Sequence, residues 1–364
     1  MIDIKNITIP HYTSIIISIV ILVILIKYKI KNPFWDKQPV MRPSMKGHTG
    51  IISKAPVFSI KLKSNQKIIL NNYPIDQIKD FLQDNFSNYY NVNTKYLDYS
   101  LKKKNAHNIV LLENKKIIGF IHSNPILVYL NQKLVKFRYV DYLCIHEKYR
   151  DNYMATILIA SIIRVNHRKQ PIMFKKDFSR LPYNYFISTN YHIKDIRKLN
   201  PKTTNKIKKL TPFNFYKYYD YTNLLLKRYT VKCLYTKKEF FDLFLGKSVM
   251  DYYIIDNPNG YKTIIIGKKT IYKLDGNILN CFEIDLVLGE LRYLKEIDEQ
   301  LSNYLKSNGY NYICISAIGS NIKYIKDNEY KRNSRVYYYT YNYSMPNILP
   351  SECVININRS EERR

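Results

Sequence analysis

A strand–turn–helix succession over 139–165 is the stretch whose residue types and spacing can do chemistry. The strand ends in YLCIH, a polar turn EKYRDNY follows, and MATILIASIIRV (154–165) opens as a helix. At such a helix start the first backbone amides lack intrahelical partners and the helix dipole favours an anion. Arg150 in the turn can add charge, and the small Ala155 lets an anion approach, although an Arg-x-x-x-x-Ala spacing also arises by chance. Just ahead, the amides of Tyr142 and Leu143 lie where the strand should splay. There they can stabilise negative charge developing on an oxygen. The competing reading of YLCI is a plain buried strand. His146 closes that strand; its titration range suits a general base, but a histidine at a strand end more commonly packs or hydrogen-bonds.

The elements that must hold this segment read as mixed α and β. IDQIKDFL (75–82) places Ile75, Ile78, Phe81 and Leu82 on one helical face. NIVLLENKKIIGFIHSNP (108–125) gives two strands around an Asn114-Lys115 turn, and KLVKFRYVDYLCIH (133–146) a longer one. The helix at 154–165 follows, with Met154, Ile157, Leu158, Ser161, Ile162 and Val165 on one face. The order then returns. TIIIGKKTIYKL (263–274) and NCFEIDLVL (280–288) are strands, and the helix after them carries Leu291, Leu294, Ile297, Leu301 and Leu305 on a stripe. Gly309 stands where a C-cap belongs, and YICISAI (312–318) and VYYYTYNY (336–343) close the set as strands. Two runs of β–β–β–α–β logic predict an internally duplicated α+β chain, joined near the polar run 200–204.

At 364 residues the chain can hold two domains or one two-lobed one, and 46% hydrophobic residues suffice for a large core. The formal charge of +29 invites an anionic partner. The joint inflation of Lys, Ile, Asn and Tyr (36 tyrosines) gives a bland compositional source for it. No RNA-binding, zinc-knuckle or helix-turn-helix pattern supports nucleic acid. Five scattered cysteines, odd in number and never CxxC, predict buried free thiols in a reducing compartment and no zinc site or other metal centre. No charge interrupts 7–26, and the apolar segment 9–30 is near the ~20 residues a membrane span requires. Lys27, Lys29, Lys31 and Lys37 follow it, which predicts a single-pass anchor with the body on the cytoplasmic side. A buried N-terminal helix is the alternative.

The turn Arg150-x-x-Tyr153-x-Ala155 is similar to the Arg/Gln-x-x-Gly-x-Gly/Ala pyrophosphate turn of GNAT-type acyl-CoA N-acyltransferases, with a tyrosine where the middle glycine stands. A closer resemblance begins at FWDKQPV (34–40), which holds the one tryptophan, Trp35. It resembles the Phe-Trp-x-x-Gln-Pro-Val motif of the glycylpeptide N-tetradecanoyltransferases (N-myristoyltransferases). VDYLCIHEKYRDNYMATILI (140–159) is similar to that family's Ile-Asn-Phe-Leu-Cys-Val-His-Lys strand and Arg-Ser-Lys-Arg-x-Ala-Pro-x-Leu-Ile turn. IIGFIHSNP (117–125) resembles its Val-Gly-Phe-Ile-Ser-x-x-Pro hairpin. LTPFNFYKYYDYTNLLLKRY (210–229) and VYYYTYNYSMP (336–346) are similar to the opening and closing segments of its second half.

The resemblance implies a duplicated GNAT-like α+β fold with a pseudo-two-fold pair of mixed sheets. To it the apolar segment adds an N-terminal transmembrane helix. The divisions are 1–30 as anchor, 31–200 as the acyl-CoA-binding half, 201–359 as the acceptor-peptide half and 360–364 as a charged tail. It implies that Phe34 and Trp35 cover the CoA head, and that Tyr142 and Leu143 supply an oxyanion hole. Ile145, Arg150, Asp151, Asn152, Met154 and Ala155 would line the donor site. Arg359 falls where the family's C-terminal carboxylate, its base, belongs; RSEERR runs past that point, with Glu361 and Glu362 as possible substitutes. The chemistry implied is direct transfer of a myristoyl group from myristoyl-CoA to an N-terminal glycine, by a monomer without a tightly bound cofactor. The alternative is a degenerate, membrane-anchored binding protein. Asp151-Asn152-Tyr153 replaces the family's Ser-Lys-Arg. FSNYYNVNTKY (86–96) lacks the family's acidic residues, and EYKRNSR (329–335) replaces Lys-Phe-Gly-x-Gly-Asp-Gly, which predicts acidic or neutral acceptors.

Overall fold

The computed structural model describes residues 11–31, 33–45, 47–52, 60–86, 90–91, 94–150, 153–166, 170–200, 207–256, 260–274 and 277–355. Helix α1 (His11–Lys31) comes first. Its side chains are described over 13–24 and are exposed although apolar, Ile16 at 58% and Ile24 at 59%. A helix thus stands where the span is expected, and among the described residues no helix is long and apolar enough to cross a membrane.

The first half of the body runs β1 (Gln66–Leu70), α2 (Ile75–Asn85), α3 (Thr94–Leu101), β2 (His107–Glu113), β3 (Lys116–Leu130), β4 (Lys133–Ile145), α4 (Met154–Val165), β5 (Ile172–Asp177) and β6 (Ile187–Asp195). The second runs α5 (Phe215–Lys227), β7 (Asp251–Asp256), β8 (Lys262–Leu274), β9 (Asn277–Gly289), α6 (Leu294–Ser307), β10 (Tyr312–Ser316) and β11 (Lys331–Tyr341). These strands join one sheet in the order β1-β2-β3-β4-β5-β11-β6-β10-β9-β8-β7. In each half an antiparallel three-strand meander leads through a helix into a parallel partner, β4 beside β5 and β9 beside β10. That is the expected duplication.

The halves also exchange strands. β6 pairs with β10 of the second half, and β11 pairs with β5 of the first, while β6 and β11 pair with each other. The centre of the sheet therefore belongs to both halves, and their joint cannot open without breaking ladders. The polar run 201–206 lies outside the described residues.

Each half buries its sheet on both faces. Ile109, Leu111, Ile118 and Ile121 pack on Met154, Leu158 and Ile162 of α4. Val110, Leu112 and Phe120 point the other way, onto Ile78, Phe81 and Leu82 of α2 and Leu97 and Leu101 of α3. Double coverage is why β2 reads as an unbroken apolar run rather than an alternating one. The α6 stripe Leu294, Ile297, Leu301 and Leu305 covers β8 and β9 in the same way. Burying each such side chain contributes roughly 1.5–3 kcal/mol. The Asn114-Lys115 turn has φ of 50° and 67°, the left-handed pair a tight hairpin demands. All five cysteines are buried and none is in a disulfide.

One buried polar network predicts acid sensitivity. His122 is 1% exposed, within 2.7 Å of the Asn108 Oδ1 and 3.2 Å of the Ser100 Oγ. Burial above all, helped by the charges of Lys103 and Arg138, holds its pKa down to about 3. The unfolded chain protonates this ring near pH 6.5 and the folded one does not. Its stabilising share is therefore complete above 6.5 and is lost as pH falls toward 3. Between pH 7 and 5 it should cost about 2 kcal/mol, at about 1.4 kcal/mol per unit. Urea midpoints at both pH values should show this drop, and His122→Gln should flatten it.

Candidate active site

The parallel ladder between β4 and β5 ends at Val140 opposite Phe174, yet β4 continues to Ile145 and β5 to Asp177. From Asp141 and Lys175 onward the two strands no longer pair. On its other edge β4 bulges. Phe120 faces Cys144 and His122 faces Asp141, so Tyr142 and Leu143 together stand opposite Ile121. Tyr142 adopts φ 53°, which turns its amide out of the ladder. The splay expected at Tyr142 and Leu143 is thus present.

The Tyr142 amide is engaged: it donates to the Asp141 Oδ1 at 2.8 Å. Leu143 is 39% exposed, its side chain outside the core. Tyr142 itself is buried against Phe86, ring centroids 5.7 Å apart.

Beyond the bulge His146 accepts a hydrogen bond from the Lys148 amide at 3.3 Å and caps the short turn Glu147–Tyr149. It acts as a local cap. Arg150 donates to the carbonyls of Ile145 (3.3 Å) and Asn85 (3.0 Å), tying the turn to the C-terminal end of α2, where a cation is favoured. Two of its five N–H groups are thereby engaged by backbone, and the side chain stays exposed. Asp151 and Asn152 lie outside the described residues, as does Arg359.

Helix α4 opens at Met154 with no capping side chain and no acidic residue in its first turn. Tyr153, the N-cap, has φ 58° and ψ 5°, the left-handed conformation for which glycine is suited, and its side chain is 76% exposed. Replacing it with glycine removes a penalty of roughly 1–2 kcal/mol and frees the unfolded chain by roughly 0.5–1 kcal/mol. Tyr153→Gly should therefore stabilise the protein by up to about 1 kcal/mol in urea unfolding. The Met154 side chain is buried, 3.8 Å from the Gln66 Nε2, so only its backbone can face the turn. Ala155 is half-buried.

Trp35 sits on the same cluster as Ile145, Tyr149, Met154 and Leu158. Its ring lies 6.4 Å from Phe174 in a stacked arrangement and 5.1 Å from Tyr183, with Phe34 edge-on at 4.9 Å. The segment is pinned from below, where Val40 bridges Tyr341 and the Tyr341 hydroxyl donates to the Gln38 Oε1 at 3.0 Å. Trp35, Ile145 at the strand end and Met154 at the helix start thus belong to one hydrophobic cluster, and both aromatic residues keep partly exposed surface.

Sequence reasoning did not find the charged groups where β4 and β5 cease to pair. Asp141 and Lys175 lie there, with Asp177 at the end of β5. Burial raises the Asp141 carboxyl, against the pull of Lys175 and the Tyr142 amide. Lys175 is raised despite burial, by Asp177 and Asp141. Across the centre Lys268 pairs with Asp285 at 3.3 Å and Glu283 at 3.5 Å, all three side chains no more than 16% exposed. Such a cluster of largely buried charges with perturbed carboxyls is a candidate for function. Its signal was alternation: Tyr139 and Asp141 share one face of β4.

Residues 61–174 match the family model Myristoyl-CoA:protein N-myristoyltransferase, N-terminal domain. A protein of Amsacta moorei entomopoxvirus, assigned provisionally as a glycylpeptide N-tetradecanoyltransferase, is 26% identical over 279 residues, covering 74% of this chain and 81% of its own. The Candida albicans glycylpeptide N-tetradecanoyltransferase is 24% identical over 349 residues, covering 75% and 72%. The fold is similar to the crystal structure of Saccharomyces cerevisiae N-myristoyltransferase with bound myristoyl-CoA, at TM-score 0.76 and 15% identity, over 91% of this chain and 96% of that one. Family model, relatives and fold agree with the ordered motifs from FWDKQPV to VYYYTYNYSMP, and this chain is similar to the N-myristoyltransferases in sequence motifs and in fold.

Proposed function

We propose that the chain transfers a myristoyl group from myristoyl-CoA to the N-terminal glycine amine of acceptor proteins. One observation carries this reading: the bulged end of β4 runs, through Ile145, into the same hydrophobic cluster as the uncapped start of α4 and a partly exposed indole. The α4 amides and dipole would hold the pyrophosphate, Trp35 and Phe34 would cover the CoA head, and the bulge would face the thioester oxygen with the Leu143 amide, the Tyr142 amide being held by Asp141. The amine adds to the thioester carbon and CoA leaves as the thiol. No acyl-enzyme forms and no cofactor is needed.

A second reading has specific support. Two Arg150 N–H groups and the Tyr142 amide are engaged within the protein, as suits a protein that binds acyl-CoA without transferring it. Single turnover separates the two: labelled myristoyl-CoA is mixed with the full chain and glycine-starting peptides. Donor binding with acylated peptide supports the enzyme; donor binding with no acylation of any peptide supports the binding protein. Trp35 emission reports the donor in either case, being the chain's one indole.

The exposed apolar helix α1 would hold the body on the cytoplasmic face of a membrane, close to products whose single acyl chain anchors only marginally. Deleting residues 1–30 should move a monomeric protein to the soluble fraction.

A further inference from the structure

We propose that the Asp141 carboxylate accepts the proton that the acceptor's N-terminal ammonium must lose, an inference that rests on the transferase reading. Asp141 lies where β4 and β5 separate, immediately before the bulge proposed to face the thioester oxygen. One carboxyl oxygen accepts from the Tyr142 amide at 2.8 Å, and this is the one hydrogen bond the described residues give that carboxyl. The other oxygen has no hydrogen bond among the described residues. Tyr139, on the same face of β4, is 3% exposed and its hydroxyl has no partner among the described residues. An unpaired carboxylate oxygen on the half-buried Asp141 and an orphaned phenol two positions away on the same face are what a cationic amine would complete.

Every element around Asp141 bears on its titration. Lys175 and Asp177 lie on β5, Lys268 on β8, and His122, held neutral, stands opposite on β3. Burial raises the carboxyl against the pull of Lys175, so its basicity moves toward that of the amine, whose own pKa is ~7.7–8.0. The motif to which 140–159 is similar carries asparagine where this chain has Asp141. An amide can receive an ammonium's hydrogen bond but cannot take its proton.

The step balances. The ammonium gives one proton to Asp141, and the free amine's lone pair forms the C–N bond. The thioester oxygen takes up charge at the bulge, and the C–S bond then breaks. A second nitrogen proton leaves with the thiolate to make CoA–SH, and Asp141 releases its proton to water.

The test measures donor binding by Trp35 emission and acyl transfer in single turnover, on the full chain, from pH 5 to 9. Asp141→Asn preserves size and the Tyr142 hydrogen bond. It should bind myristoyl-CoA within threefold of the wild type but transfer at least ~100-fold more slowly, a general base being worth 10²–10⁴-fold. The acid limb of the wild-type pH profile should disappear with it. Lys175→Met provides a second, independent readout: loss of its charge should shift the same limb to higher pH. Transfer by Asp141→Asn within threefold of the wild type, or a limb that Lys175→Met leaves in place, overturns the proposal while leaving the transferase reading intact. A wild type that binds donor and acylates nothing overturns both.

Discussion

Asp298→Ala should cost about 3–5 kcal/mol of stability, several times an average surface substitution. Asp298 is 2% exposed on α6 and is the convergence point of three groups. It accepts from the Tyr324 hydroxyl at 2.6 Å and the Tyr330 hydroxyl at 2.9 Å, and forms an ion pair with Lys194. Truncation strands a largely buried ammonium and two phenols, each of which then bears its desolvation cost without a partner. The location magnifies the effect. Lys194 lies on β6, the strand the first half lends to the second, so Asp298 fastens the exchanged strand to the helix that covers its new neighbours. Urea unfolding should show the loss in midpoint, and hydrogen exchange should show it concentrated at β6, β10 and β11. Asp298→Asn, which keeps the hydrogen-bond acceptor but drops the charge, should cost less. Equal losses for the two variants would mean that Lys194 contributes no pairing energy.

How much of this was legible in the sequence depends on whether an element's neighbours are local. The hairpin β2–β3 is written into 108–125 because Asn114 and Lys115 tolerate positive φ between two apolar runs. Helix α4 was legible to the residue, Met154 to Val165, because its stripe repeats over three turns. By contrast β6 (ISTNYHIKD) is polar and mostly half-buried, and periodicity is silent there. It is a strand because β10 and β11 flank it, and both come more than a hundred residues later. Of the site, the strand end, the turn and the indole were legible by their motifs. The partners Phe174 and Tyr183 under Trp35 were not, since stacking across a sheet leaves no local pattern. Nor was the engagement of Arg150 by the end of α2, which depends on a contact with Asn85, 65 residues away. The acceptor preference read from 86–96 and 329–335 concerned outer segments. The acidic side chains Asp141, Asp177, Glu283 and Asp285 outnumber Lys175 and Lys268 where β4 and β5 separate, a balance that would suit the ammonium of the proposed acceptor.

Gly119→Val should separate the two pieces on which donor binding rests. A Cβ built on Gly119 would stand 2.9 Å from the Leu158 Cδ1 of α4, 3.1 Å from the Ile145 Cδ1 and 3.5 Å from the Cys144 carbonyl. Here β3 allows α4 to settle onto the sheet at the level of the bulge, since Gly119 faces Ile145 and Phe120 faces Cys144 in the ladder. Alanine meets only side-chain ends, which can give by a few tenths of an ångström. Valine adds branches on a β-carbon that cannot rotate away, and overpacking of this kind costs roughly 1–3 kcal/mol. The strain falls on the docking of α4, so the helix start moves relative to Leu143 and the proposed pyrophosphate contacts weaken before the fold does. Gly119→Val should reduce myristoyl-CoA affinity at least ~10-fold, a loss of about 1.4 kcal/mol, as read by Trp35 emission. Leu158→Ala in the same chain should restore much of that affinity by giving the valine room, although alone it leaves a cavity costing roughly 2–5 kcal/mol. That opposite sign in combination is the signature of a steric coupling. Independent, additive effects of the two changes would mean that α4 does not set the donor site, and that the dipole at its start is not what holds the anion.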